Sequence, residues 1–494
     1  MAPFGLRLPA TNLRTPHSSA REIHRQSPAR GIVMHEQSLG GSGGKATWPP
    51  VTLLVLAICG TAIVADGYDV VIYGAVIPSL LHEHGWGLTP AGAGLIGSFA
   101  LIGMLIGATT VGTLTDVLGR RRMLIGCLAW FSVMTGLCAI ATSPEVFGAF
   151  RFLAGLGLGG VLPTASALSG EYSHPKARNL VFAIIFSGFP VGGIIAAFTG
   201  MFVIPRFGWQ AMFLLGLLPL VLIVPVALKF LPESIAFLRA KGKHTEAEQT
   251  TRRWNIPLQE AREEAPTSTQ APAGTGPESM SPVKALLSRD YIVATLCFLA
   301  MSCLCLFMIY GYNTWLPEIM RRAGYSSGSA LGFLLMFNLG AVVGQLLISL
   351  AADRLGSKPI IVTTYLLASV AVILLSLRLP TAVLYAAVAL GGVGAMGTQT
   401  FLLAYVSKYY PVRMGATALG WALGFGRLGS MLAPPLLGLI IGAGLALQWN
   451  FYALAVPGVI GAALIGLVPR APGEAAPVRY ASTDGTMRSL PEAT

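Results

Sequence analysis

Two carboxylates stand three residues apart in a stretch of chain that otherwise carries no charge: Asp66 and Asp69, within Val51–Leu81. A three-residue step places both on one face of a helix. A charged side chain at the centre of a bilayer costs roughly 2.5–3.5 kcal/mol on insertion scales, so residues of this kind in an apolar span are costly and point to function. Two neighbouring carboxylates in such a place are suited to taking up and releasing a proton. The plainer reading is that Gly67 breaks the helix and one of the aspartates caps the half that follows. An opposite charge stands far along the chain. Arg427 lies about 13 residues into its own apolar segment, roughly 20 Å at 1.5 Å per residue and so near mid-depth. Its guanidinium is always charged, and its fork matches a carboxylate in two-point geometry. It is suited to clamping an anionic substrate, to neutralising the aspartate pair, or to a purely structural ion pair.

Further candidates surround these. Asp116 and Arg120 close the second apolar segment, and Asp353 is their counterpart later in the chain; gating and a tight, topology-setting turn are both compatible with them. Arg151 and Glu171 are charges within or at the end of a span, where such groups pair with one another or face a cavity. Tyr73, Tyr310, Tyr312 and Trp421 are placed to stack on a planar substrate, whereas Trp315 reads better as an interfacial anchor. Asn313, Asn338 and Gln345 offer hydrogen bonds to ring substituents, or to neighbouring helices. No phosphate-binding loop, dinucleotide motif or nucleophile–base–acid set is found, so no enzyme is expected. The cysteines lack metal-site spacing and histidine partners, so neither a metal nor a disulfide framework is expected. The only cofactor expected is a proton, as coupling ion.

The elements that must hold these residues follow from composition. The chain has 494 residues, 54% hydrophobic and 11% charged, against roughly 25% charged in soluble domains. About 20 apolar residues cross the hydrocarbon layer. Phe213–Leu228 and Ala382–Ala404 are apolar nearly all round, as befits lipid or the inside of a bundle. The pattern predicts spans over 51–80, 90–113, 121–142, 145–170, 179–202 and 209–231, then 291–316, 329–352, 358–378, 381–405, 414–440 and 447–468. The expected fold is an all-α polytopic membrane protein of twelve transmembrane helices in two pseudo-symmetric six-helix bundles. The expected division is a disordered N-terminal segment 1–48, a first half 49–231, a linker 232–290 with a short amphipathic start, a second half 291–468 and a tail 469–494. No apolar stretch of the signal-peptide kind precedes the first span.

The net charge of +12 lies in short loops, which suits cytoplasmic loops and not nucleic-acid binding. Arg120–Arg122, Lys176, Arg178, the linker, Arg354, Lys358, Lys408 and Arg413 all fall on one side if the spans alternate. That side is read as the cytoplasm, with both termini on it. Arg321 and Arg322 are the exception. An internal repeat supports two halves: Asp116 and Asp353, Tyr172 and Tyr409, and Gly192 and Gly429 are each 237 positions apart. Paired repeats around a central site are a common transporter plan.

Gly112–Arg122 (GTLTDVLGRRR), Gly188-Phe-Pro190-Val-Gly-Gly193 and Pro232-Glu233-Ser234 resemble motifs of the major facilitator superfamily. Asp66-Gly67-Tyr68-Asp69 resembles the DGxD motif of its aromatic acid/proton symporter family. The fourth-span stretch agrees, with Arg151, Gly155, Gly157, Gly159, Gly160, Pro163 and Glu171-Tyr172. So do Trp315-Leu-Pro317, Gly420-Trp421 and Gly426-Arg427. The resemblance implies proton-coupled uptake of a small aromatic carboxylate, such as benzoate or a hydroxybenzoate, by alternating access in a bacterial inner membrane. It implies proton coupling at Asp66 and Asp69, a cytoplasmic gate around Asp116 and a monomeric carrier in the bilayer. A carrier for another organic acid, a sugar or a drug-like solute, and a membrane chemoreceptor for aromatic acids, are the alternatives.

Overall fold

The computed structural model describes residues 50–173, 178–254, 281–355, 357–377 and 379–469. The expected segment 1–48, the middle of the linker and nearly all of the tail lie outside them. The described residues form helices joined by short turns and loops, with no strand among them.

The first half runs α1 (Pro50–Leu80), α2 (Pro90–Leu118), α3 (Arg120–Cys138), α4 (Pro144–Glu171), α5 (Arg178–Phe186), α6 (Gly188–Phe207), α7 (Gln210–Leu215) and α8 (Val224–Phe230). Between the halves lie α9 (Ile235–Ala240), α10 (His244–Trp254) and α11 (Pro282–Leu286). The second half is α12 (Ile292–Arg322), α13 (Ser327–Leu355), α14 (Ser357–Leu374), α15 (Thr381–Tyr409), α16 (Val412–Gly442) and α17 (Gln448–Leu467). Ten of the described helical segments are long and apolar enough to cross a membrane. α3, which opens on three arginines, and the shorter α14 complete the layout of six and six.

Local chemistry explains the departures from the expected elements. α1 is unbroken through Gly67, so neither aspartate caps a half-helix. The fifth span is a pair, α5 and α6, divided at Ser187. The sixth widens into a π-turn at Pro219–Ile223, where a proline lacks the donor that a regular turn needs. α12 runs on to Arg322, beyond the expected end at 316, because Glu318 bonds Arg321 and Arg322 across its last turn. Trp315 is the clearest correction. It is fully buried and its indole N–H donates to Pro434 O at 2.8 Å, so it is a packing residue and not an interfacial anchor.

The sequence repeat is physical. A Cβ on Gly103 would lie 2.2 Å from Phe152 O, and one on Gly340 1.9 Å from Ala389 O. Both residues of the second pair are 237 positions on from those of the first. α2 therefore closes on α4 as α13 closes on α15, backbone against backbone, where any side chain would force them apart.

The halves meet at one end. A Cβ on Gly94 would lie 2.4 Å from Pro434 O, and Ser98 Oγ donates to Met431 O at 2.6 Å. Gly74 lies directly against the backbone of Asn313. Towards the other end, the α2 residues Gly112, Thr113, Leu114, Asp116, Val117 and Leu118 are exposed. Gly60, fourteen residues before Gly74 and about 40° round the helix, has nothing within 4 Å of its would-be Cβ. The bundle is zipped at the Pro90 end and splayed at the Arg120 end. Gly94→Val is expected to prise the zipped end apart. Thiol labelling of a cysteine introduced at Ser79 should accelerate about tenfold, the effect of ~1.4 kcal/mol on the closed state. Gly112→Val, where a Cβ meets nothing within 4 Å, should leave the labelling rate unchanged.

Candidate functional site

The two aspartates have different surroundings. Asp69 Oδ2 accepts from Arg151 Nη1 on α4 at 2.8 Å, and Oδ1 accepts from Thr135 Oγ1 on α3. Asp69 and Arg151 are only 1% and 2% exposed. Arg151 also donates to Asp69 O at 3.3 Å, and its guanidinium carbon stands 5.6 Å from the centre of the Tyr73 ring. The Tyr73 hydroxyl donates to Ala93 O. Tyr73, expected to stack on substrate, instead packs against this ion pair and is 2% exposed. Asp69 is thus a fully satisfied carboxylate tying α1 to α3 and α4.

Asp66 is 2% exposed, and its Oδ1 accepts no hydrogen bond. Its electrostatic partner is Arg427 on α16, in the other half. No direct ion pair joins the two. Arg427 is half-buried and, among the described residues, donates from Nη1 to Tyr310 Oη on α12 at 3.1 Å. Tyr310 lies within electrostatic reach of Asp66 and has its ring centroid 6.3 Å from that of Phe189 on α6. A buried acceptor without a donor therefore lies within electrostatic reach of a half-buried guanidinium, beside two aromatic rings. A buried group left unsatisfied costs about 1–3 kcal/mol, so Asp66 calls for a proton, a water or a ligand donor at its Oδ1.

Asn313 and Asn338 are buried beside the same seam. Asn338 Nδ2 donates to Asn313 Oδ1 at 3.1 Å and to Leu334 O at 3.0 Å, while its Oδ1 is buried without a partner. Asn313 Nδ2 donates to Ile309 O. Gly193 on α6 is the residue that leaves room for the Asn338 amide. Gln345 Nε2 lies 3.9 Å from Met396 Sδ, and Tyr312 stacks on Phe337 with centroids 4.6 Å apart. Trp421 does not join the Arg427 group. It pairs with Phe425 at 6.1 Å in a separate groove formed with Leu105, Gly420, Gly424 and Leu428.

At the splayed end the family-like motifs converge within the first half. Arg120 forms an ion pair with Glu171, whose carboxylate accepts from Ser234 Oγ at 2.8 Å. Glu233 Oε1 accepts from the backbone N–H of Arg121 at 2.9 Å and of Ser234 at 3.0 Å. Tyr172 Oη donates to Glu233 O at 2.8 Å. Gly119, at φ +97°, lets the chain turn under Glu233. Asp116 is exposed and outside this network. Asp353 lies in α13, but its side chain falls outside the described residues. The role of Glu171 as a charge partner was legible in its type and place; Ser234 and Thr135 were not, since single hydroxyls carry no such signal.

The Major Facilitator Superfamily model matches residues 59–338 and 327–485. The benzoate transport protein of Acinetobacter baylyi is 36% identical over 420 residues, 84% of this chain and 89% of its own length. This chain belongs to the aromatic acid transporter family of the major facilitator superfamily. The gentisate transporter of Corynebacterium glutamicum is 36% identical over 457 residues, covering 90% of this chain and 96% of that protein. A 4-hydroxybenzoate transporter of Pseudomonas aeruginosa is 32% identical over 85% and 94% of the two chains. The crystal structure of a D-xylose-proton symporter superposes with a TM-score of 0.66 at 16% identity, covering 85% of this chain and 99% of that one. The fold is therefore that of the superfamily, and the relatives are transporters and not enzymes.

The Asp69–Arg151 pair gives a direct test. Arg151→Met strands a buried carboxylate, at a cost of about 3–5 kcal/mol. The protein with Arg151→Met and Asp69→Leu together should recover much of that loss. Thermal unfolding of the two purified proteins in detergent measures the difference.

Proposed function

We propose that the protein takes up a small aromatic carboxylate, of the benzoate or hydroxybenzoate class, together with protons. It would do so by alternating access in a bacterial inner membrane, as a monomer with both termini cytoplasmic. The observation that carries this reading is the unsatisfied cluster of Asp66, Tyr310 and Arg427 on either side of the seam. Its chemistry suits a planar anion: a guanidinium fork for the carboxylate and the rings of Tyr310 and Phe189 for the aromatic face. The names of the relatives supply the substrate class. The Asn313–Asn338 pair, with an unused amide oxygen, suits a ring hydroxyl. The Lys/Arg-rich loops support a cytoplasmic splayed end, and on that reading the described conformation is inward-open. Arg120 and Glu171 then brace the cytoplasmic end of the first half, and Asp116 and Asp353 are placed to engage when that end closes.

The environments divide the proton-coupling pair. Asp69 is held by Arg151 and Thr135, and Asp66 is left to exchange a proton. With the substrate carboxylate on Arg427, Asp66 loses its countercharge and takes up a proton. When the anion leaves inward, Arg427 is again available to the ionised Asp66, and the proton follows. Uptake against a negative-inside potential needs this. A monoanion with one proton is electrically neutral, and any further proton adds electrical drive.

Proteoliposomes carrying the protein and fed radiolabelled benzoate or 4-hydroxybenzoate test the reading. Accumulation should collapse on adding a protonophore. Asp66→Asn should abolish gradient-driven accumulation yet retain exchange of internal for external substrate. Arg427→Ala should raise the apparent KM at least about tenfold, a loss of ~1.4 kcal/mol or more. Accumulation that ignores the proton gradient would remove the coupling claim. Failure to transport any aromatic acid would remove the substrate class.

A further inference from the structure

Arg321 and Arg322 do not fit the charge pattern of the other loops, falling on the side opposite the Lys/Arg-rich ones. Both are held by Glu318, which is fully buried: Arg321 Nε donates at 3.0 Å and Arg322 Nε at 2.7 Å. One carboxylate between two guanidiniums leaves a net positive charge. Arg322 spends a further donor on Ile441 O at 3.4 Å, inside its own half. Arg321 uses Nε and Nη2 on Glu318, and its Nη1 donates to no protein group among the described residues.

Arg321 forms part of the wall of a small cavity at the zipped end. Both halves build it, α1 and α6 from the first and α12 and α13 from the second. Met201, Ile204, Pro317 and Leu331 make its walls apolar, and exposed Ser327 stands at its lip. Among the described residues Arg321 is the one charged group lining it. Apolar walls with a single guanidinium at the rim are the chemistry that recognises a ring bearing a carboxylate.

We propose that this cavity is a second, weaker seat for an aromatic carboxylate, facing the outside and distinct from the Arg427 cluster. The proposal rests on the reading of the protein as an aromatic-acid carrier that is inward-open in the described conformation. Because both halves form the cavity, it exists only while the outer end is closed. A ligand that binds one conformation and not the other shifts the population towards the one it binds. External substrate at high concentration would therefore hold the carrier shut to the outside, and uptake would slow as its own substrate accumulates.

Equilibrium dialysis of radiolabelled benzoate against the purified full-length protein tests this, together with initial uptake rates in proteoliposomes. Wild type should bind two classes of benzoate, and its uptake rate should pass through a maximum as external benzoate rises. Ser327→Glu adds a carboxylate at the cavity lip, at an exposed first-turn position where acidic residues suit a helix. It should remove the weaker class and the falling limb while leaving the tighter class and the low-concentration KM unchanged. Arg321→Gln should act in the same way, whereas Arg427→Ala should remove the tighter class alone. A single class of sites in a wild-type protein that transports benzoate overturns the second seat and leaves the carrier reading intact. A weaker class that survives both Ser327→Glu and Arg321→Gln also overturns it. Displacement of that class by phosphatidylglycerol but not by 4-hydroxybenzoate would give the cavity to a lipid headgroup and overturn the second seat as well. Absence of any binding or transport of benzoate and 4-hydroxybenzoate would instead sink the carrier reading beneath it.

Discussion

The ion pair between Asp69 and Arg151 fixes the rotation of the helix on which the site depends. Both groups are removed from solvent, and each would be costly alone. Their mutual bond, with Thr135 on the second carboxylate oxygen, pins α1 against α3 and α4. A step of three residues is about 60° short of a full turn. With Asp69 held inside the first half, Asp66 sits part of a turn away, within electrostatic reach of Arg427 in the second. Two carboxylates from one short motif therefore have different neighbours. One is part of the scaffold, and the other keeps a buried oxygen without a donor among the described residues.

A second constraint is the close approach of helix backbones. Glycines at matching positions of the repeat let α2 meet α4 and α13 meet α15 carbonyl against Cα. Such contacts leave little room for bending where these helices cross. The convergence of Arg120, Glu171, Glu233 and Ser234 stiffens the splayed end of the first half in the same way. The site sits where two stiff bodies meet, which is where a relative rotation changes the distance between Asp66 and Arg427 most directly.

Much of this was legible in the sequence. Length and apolarity located the spans, and the 237-residue offset announced a repeat that the glycine contacts make physical. The depths of Asp66 and Arg427 along their helices followed from counting residues. Pairings were harder to read, because they depend on how each helix is rotated against its neighbours. Nothing in the chain says that Arg151 takes Asp69 while Arg427 is left near Asp66. Tyr73 and Trp421 looked like stacking residues for the same reason: an aromatic side chain at mid-span has no sign of which face it occupies. Trp315 was misread because a Trp-Leu-Pro near a span end has the composition of an interfacial anchor. Only the continuation of α12 to Arg322, driven by Glu318, places it deep inside the fold.

The seam at the Pro90 end is held by glycine–backbone contact, by packing against Pro434 and by the Ser98–Met431 hydrogen bond. Among the described residues no ion pair crosses it. Dispersion falls off within a fraction of an ångström of separation and is indifferent to dissolved salt, whereas exposed charge pairs weaken over a Debye length of about 8 Å at physiological ionic strength. This closure therefore behaves as a short-range catch: stiff until it slips, then offering no long-range pull to bring the halves back. Its grip is unaffected by the ionic strength of the medium on whichever side of the membrane it stands.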